Sequence, residues 1–284
     1  MRRRFTQADV FSAEPLLGNP VAVVHDADGL SDDRMAAVAR WTNLSETTFL
    51  LRPTDADADY RVRIFTTSGE LPFAGHPTLG TAHAWLTAGG VPASDGVVVQ
   101  ECGVGLVEVR LGERPAFAAP PLIRSGPVDE ADLEAVLAAS GVARGSVVDA
   151  AWVDNGPGWV ALELRSVRDV LAAEPLPGRT AGMSWGLVAR YEADDPWREG
   201  RDAEVRGFFD GGDGWFEDPV TGSLNAGIAQ WLIGSGRLPA SYVAGQGQRV
   251  QRDGRVHVEQ VDGRTWVGGD VVAVVDGEVD LGEA

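Results

Sequence analysis

The sequence predicts an α/β (α+β) chain of two pseudo-symmetric lobes, each a curved sheet around a central helix. Three observations predict it. One helix start occurs twice: His76-Pro77-Thr78-Leu79-Gly80-Thr81-Ala82-His83-Ala84 reads against Asp218-Pro219-Val220-Thr221-Gly222-Ser223-Leu224-Asn225-Ala226. The offset, 218 minus 76, is 142, half of the 284 residues. Strand patterns dominate on both sides of each repeated segment. Finally, the two helices are rich in Ala, Leu and Trp around their circumference, the composition of a helix wrapped by sheet on several sides.

The elements follow in order. Arg4 to Phe11 reads as a strand, Gly18-Asn19-Pro20 as a turn, and Val21 to Val24 as a buried strand. Ser31-Asp32-Asp33 caps a helix carrying Met35, Val38, Ala39 and Trp41 at helical spacing. Thr47 to Leu51 is a strand, and Tyr60 to Phe65 alternates with Arg61 and Arg63 as a half-exposed one. Gly69 to Pro72 reads as a loop before the first repeated helix, about Pro77 to Ala88. Strands are expected near 97–100 and 105–111. Residues 112–128, with Pro115, Pro120, Pro121 and Pro127, read as a linker. The second half expects a helix near 129–139, strands near 147–153, 158–164, 181–190 and 204–210, and the second repeated helix from Pro219 to about Gly234. The domain expectation is an N-terminal lobe over 1–120, which the C-terminal strand 266–284 is able to join, and a C-terminal lobe over 121–265. The active site is expected in the cleft between them.

Composition narrows the function. A formal net charge of −18 opposes nucleic acid and anionic membrane surfaces. No apolar run is long enough for a membrane span, and Gln7, Asp9 and Glu14 break the stretch that a signal peptide needs. Cytoplasmic location is the expectation. The single cysteine, Cys102, excludes an internal disulfide and a two-thiol mechanism within one chain. It reads as a small core residue. All 24 basic residues are Arg, which excludes a Schiff-base lysine and a P-loop lysine. The four scattered histidines lack acidic companions at ligand spacing, so no metal site is expected.

Two constellations carry chemistry. Asp218-Pro219 has the form of an N-cap followed by a first helical residue. His76, a poor cap, stands at the matching position, and a poor cap is better explained by a site. Helix N-termini with Gly and hydroxyl residues offer N–H groups and partial positive charge to a carboxylate or an enolate-like intermediate. The second is Glu46, between Ser45 and an apolar strand. Desolvation there raises a carboxyl pKa toward the range of a general acid/base; the alternative is a solvated residue at the start of a strand. Glu70 reads as a solvated loop acid, and His83 and Trp85 as packing residues.

Four segments, Gly18-Asn19-Pro20, Asn43-Leu44-Ser45-Glu46-Thr47, Glu70-Leu71-Pro72-Phe73-Ala74-Gly75-His76-Pro77-Thr78 and Glu217-Asp218-Pro219-Val220-Thr221-Gly222-Ser223, resemble in order and spacing the PhzF-like family of phenazine biosynthesis. The resemblance implies the diaminopimelate epimerase-like fold, with barrel-like, mostly antiparallel sheets around each central helix. It also implies a cofactor-independent isomerase, similar to trans-2,3-dihydro-3-hydroxyanthranilate isomerase. In that reading Glu46 shuttles the proton, with His76 and Asp218 assisting. Ser45, Gly75, Gly222, Ser223 and Asn225 line the substrate, a small anionic molecule in a homodimeric enzyme. Thr67 stands where the family often has Pro, and Leu224-Asn225 replaces a common Ala-His. An epimerase-type reaction on another small acid, with Glu46 and Asp218 on opposite faces, and a non-catalytic metabolite-binding protein are the alternatives.

Overall fold

A computed structural model describes residues 1–179, 181–210 and 214–282. In chain order the elements are β1 (Arg2–Val10), β2 (Asn19–Val24), α1 (Asp32–Thr42), β3 (Glu46–Leu51), β4 (Tyr60–Phe65), β5 (Glu70–Leu71), α2 (Gly75–Thr87), β6 (Val97–Cys102), β7 (Gly105–Arg110) and β8 (Ala116–Ala118). There follow β9 (Arg124–Pro127), α3 (Glu130–Ser140), β10 (Val147–Asp154), β11 (Val160–Leu164), α4 (Val167–Ala172), β12 (Trp185–Arg190), β13 (Ala203–Asp210), β14 (Trp215–Asp218), α5 (Gly222–Gly234), β15 (Ser241–Gln246), β16 (Gly254–Val261), β17 (Arg264–Gly268) and β18 (Val271–Asp280). The chain divides into two compact units, Met1–Ala118 with the segment from Gly268 onward, and Ala119–Val267.

In the first unit β1 runs antiparallel to both β18 and β2. β2 is parallel to β3, across α1. β3 is antiparallel to β4, which pairs antiparallel with β5 and parallel with β6. β7 and β8 complete the sheet. Helix α2 touches β1, β2, β3, β6, β7, β8 and β18, so the sheet surrounds it. Its small residues permit this: a Cβ on Gly80 would stand 2.3 Å from the Val21 side chain. On the outer face, α1 closes a second apolar cluster through Met35, Val38 and Ala39 against Val24, Phe49 and Phe65.

The second unit repeats the plan. β9 and β10 are antiparallel, as are β10 and β11. β11 is parallel to β12 across α4, and β12 is antiparallel to β13. β13 pairs antiparallel with β14 and parallel with β15, which pairs with β16. Helix α5 packs on β10 and β16. Gly227 does for α5 what Gly80 does for α2: a Cβ there would lie 2.3 Å from the Val153 carbonyl oxygen. The outer cluster joins α3 and α4 to Trp152, Trp185, Leu187 and Phe208.

Several sequence expectations change. Helix α5 starts at Gly222, not Pro219, because Asp218 is the last residue of β14 and pairs with Gly207. Asp218 is therefore no N-cap. Helix α2 starts at Gly75, which puts Pro77 in the first turn, where its missing N–H costs nothing. The structural repeat thus aligns Gly75 with Gly222, an offset of 147 (222 minus 75), rather than 142. His76 matches Ser223, Thr78 matches Asn225 and Gly80 matches Gly227. Residues 112–128 contain β8 and β9, with Pro at the strand margins, and the boundary between the two units, Ala118 to Ala119, falls between those strands. Helix α4 lies between the strands expected near 158–164 and 181–190, where no element is expected, and residues 70–71 form the short strand β5 rather than a loop. Trp41 points away from the α1 core at 75% exposure. Cys102 is half-buried at the end of β6. No helix among the described residues is long and apolar enough to cross a membrane.

Candidate active site

In the first unit, α1 ends at Asn43, whose left-handed backbone (φ 55°) turns the chain into β3. Half-buried Ser45 follows, and Glu46 enters the sheet opposite Val21 with its side chain buried. Helix α2 starts at buried Gly75 and brings His76 up to Glu46, with Nε2 3.2 Å from Oε2. The other ring nitrogen hydrogen-bonds the Pro20 backbone. Burial pushes the His76 pKa down to about 3, against the opposing pull of that hydrogen bond. The ring is therefore neutral near pH 7, and the contact with Glu46 is not an ion pair. A neutral ring that donates to Pro20 turns a lone pair on the Glu46 carboxyl. The contact sets an acceptor nitrogen beside a buried carboxyl, away from bulk water.

In the second unit Asp218 is buried at the end of β14. Thr221 Oγ1 donates to Asp218 Oδ2 at 2.7 Å. Gln246, at the end of β15, donates to Thr221 Oγ1 and to the Asp218 carbonyl. It accepts from the Thr221 N–H and from Asn225 Nδ2. Asn225 also donates to the Thr221 carbonyl and is fully buried, so its N–H groups are spent inside the protein. Ser223 is half-buried on the first turn of α5, beside Gly222. The Trp159 indole donates to Ser223 Oγ at 3.0 Å, and Asn155 Nδ2 donates to the Ser223 carbonyl. Indole N–H is a donor only. Ser223 Oγ is therefore an acceptor toward Trp159 and directs its own proton elsewhere.

An Arg–Glu clamp precedes each central helix. Arg63 on β4 grips both oxygens of Glu70 at 2.7 and 2.6 Å. Arg206 on β13 grips both oxygens of Glu217 at 2.8 Å and also donates to the Val170 and Ala173 carbonyls. Glu70 is thus the partner of Arg63 and not a merely solvated acid. Helices α1, α3 and α4 are capped by Ser31, Asp129 and Ser166, whereas no side chain caps α2 or α5. Their ends combine partial positive charge with buried first-turn residues.

The structure brings Glu46 and His76 into contact, and it links Asp218 through Thr221 to Gln246 and Asn225. Gln246, Trp159 and Asn155 are absent from the sequence-derived candidates. Their signals were faint: a lone amide in a buried strand, and an indole just after an Asn-Gly-Pro turn. A cavity of about 1010 Å³ in the second unit, bordered by Arg168, Tyr191, Trp197 and Arg252, contains none of the candidate residues.

A family model described as phenazine biosynthesis-like protein matches residues 8–277. The chain belongs to the phenazine biosynthesis-like (PhzF) family. It is 33% identical to antisense-enhancing sequence 1 of Schizosaccharomyces pombe, over 96% of this chain and 97% of that protein. It is 60% identical to trans-2,3-dihydro-3-hydroxyanthranilate isomerase of Pseudomonas aeruginosa, over 28% of this chain and 29% of that one. Among solved structures, a predicted epimerase from Pseudomonas aeruginosa superposes with a TM-score of 0.77 at 26% identity, covering 98% of this chain and 99% of that one. The fold is that of the PhzF and proline racemase-like proteins, and the chain is an isomerase of this family.

Proposed function

We propose that this PhzF-family isomerase moves a proton between two carbons of a small carboxylated metabolite without a cofactor, on a substrate of the class of trans-2,3-dihydro-3-hydroxyanthranilate. The observation that carries this reading is the buried contact of Glu46 with a neutral His76. Glu46 as carboxylate removes a proton from one carbon. The electron pair moves into the unsaturated system, and Glu46 returns the proton to a second carbon, so no net proton is exchanged with the solvent in a productive turn. His76, neutral and hydrogen-bonded to the Pro20 backbone, holds the Glu46 carboxyl in position. Asp218 is the assisting acid in this reading. The uncapped start of α2, which carries His76 beside Glu46, offers its N–H groups to the acid group of the substrate.

The test is proton NMR in D₂O with trans-2,3-dihydro-3-hydroxyanthranilate, wild type beside Glu46→Gln. Product formation by wild type, and a loss of at least about 10²-fold in the folded variant, is expected. Undiminished turnover by Glu46→Gln removes Glu46 from the mechanism. Deuterium uptake without movement of the double bond replaces the isomerisation by an epimerase-type reaction.

A further inference from the structure

We infer that Gln246 is a positioning residue for Asp218, setting the direction of a buried hydrogen-bond chain that ends on the Asp218 carboxylate. The inference rests on the reading that Asp218 takes part in the reaction.

Backbone groups dictate the orientation of the Gln246 amide. The Thr221 N–H can only donate, so the amide atom 3.0 Å from it is Oε1. The Asp218 carbonyl can only accept, so the atom 3.2 Å from it is Nε2. Nε2 also lies 2.9 Å from Thr221 Oγ1 and must donate there. The threonine hydroxyl then has one proton left, and it goes to Asp218 Oδ2 at 2.7 Å. Each link follows from the one before. Asn225 closes the arrangement from the helix side, its nitrogen bonded to both the Thr221 carbonyl and Gln246 Oε1. Gln246, Thr221, Asn225 and Asp218 are all buried, so water does not readily substitute for a missing member. The outcome is that Asp218 Oδ2 is held as an acceptor in one orientation.

The first unit contains the same device with a different end. Tyr60 Oη donates to Gln100 Oε1, Gln100 Nε2 donates to Thr78 Oγ1, and Thr78 Oγ1 donates to the Ala74 carbonyl. Gln100 lies on β6 and Gln246 on β15, which are equivalent strands. Thr78 matches Asn225. The first-unit chain ends on a backbone carbonyl, so it only braces the helix start. Thr221 diverts the second-unit chain to a carboxylate, and that step gives the glutamine a role beyond bracing.

The test uses the full chain with Gln246→Glu, Thr221→Val and Thr221→Ser, and reads the ¹³C carboxyl resonance of Asp218 near pH 7, assigned by its loss in Asp218→Asn. The Glu variant has the shape of glutamine but cannot donate from both positions, and the Val variant removes the middle hydroxyl isosterically. Both are expected to shift the Asp218 resonance, and Thr221→Ser to restore it. With trans-2,3-dihydro-3-hydroxyanthranilate as the probe, kcat falls about tenfold or more in the first two, KM stays within about twofold, and Thr221→Ser recovers. An unchanged Asp218 resonance in folded Thr221→Val overturns the inference. Should Gln246→Glu fail to fold, the Thr221 pair alone decides. A shifted resonance combined with wild-type turnover by Asp218→Asn leaves the positioning intact and overturns the role of Asp218 in the reaction.

Discussion

At the residue scale, the burial of Glu46 and His76 makes chemistry out of two ordinary side chains. Exposed, each would titrate near its usual value and exchange protons freely with water. Buried at 3.2 Å with His76 neutral, they set an imidazole lone pair beside a carboxyl out of reach of bulk water. The Glu46→Gln experiment tests the chemical half of this statement, because the amide keeps shape but cannot carry the proton. A pH experiment tests the electrostatic half. The His76 pKa is about 3 in the folded chain, against an ordinary value of 6.5. Between these values the unfolded chain binds a proton that the folded chain refuses. This contribution to stability is therefore complete above about pH 7 and is lost as the pH falls toward 3, with a magnitude on the order of a few kcal/mol. Urea denaturation of wild type between pH 7 and 4 is expected to show a steeper loss than His76→Asn, which has no ring to protonate. Equal slopes would mean that His76 is not held neutral.

At the element scale, the two central helices are limited by how closely backbone approaches backbone. Gly80 and Gly227 occupy equivalent positions, but what they face differs. A Cβ at 80 meets a valine side chain, which is able to rotate, whereas a Cβ at 227 meets a carbonyl oxygen fixed in β10. Gly80→Ala is expected to cost about 1–3 kcal/mol of unfolding free energy and Gly227→Ala more than that. Reversal of this order in chemical denaturation would show that the sheet around α5 yields more easily than its close contact implies. The Arg–Glu clamps offer a second comparison. Arg206–Glu217 is almost fully buried, with side-chain exposures of 4% and 9%, whereas Arg63–Glu70 stands at 23% and 41%. Glu217→Gln is expected to cost about 3–5 kcal/mol, since it leaves a buried guanidinium without its counter-charge. Glu70→Gln is expected to cost about 1 kcal/mol or less, because water screens the exposed pair. Thermal or urea denaturation of both variants checks the difference.

At the scale of the whole molecule, acids outnumber bases by 42 to 24, giving −18 near neutral pH and an isoelectric point near 4.5. Such a field favours solubility and opposes polyanions, so any anionic substrate depends on local devices such as uncapped helix starts. The protein is expected to show no shift of labelled duplex DNA at about 0.1 M salt, and to be least soluble close to pH 4.5. A salt-sensitive mobility shift at micromolar protein would reveal a basic surface that the overall charge conceals.

What the sequence determined by itself was whatever depends on local pattern. The alternation of Tyr60 to Phe65, the Ser31 cap and the order of the motifs were legible because strand pleat, helix caps and turns act over a few residues. The duplicated plan and the family were legible too, as was the burial of Glu46, since a carboxyl beside an apolar run stands out. What only the tertiary structure decided was whatever depends on partners distant in the chain. The true repeat register of 147 hides behind the His-Pro and Asp-Pro dipeptides, whose similarity is chemical rather than positional. Asp218 resembles a cap from sequence and becomes a strand residue only through its pairing with Gly207. Glu70 looks solvated until β5 lies against Arg63. Gln246 is one amide among many until Asp218, 28 residues earlier, and Asn225 fold onto it. A hydrogen bond becomes a commitment when burial denies its members water, and burial belongs to the folded chain.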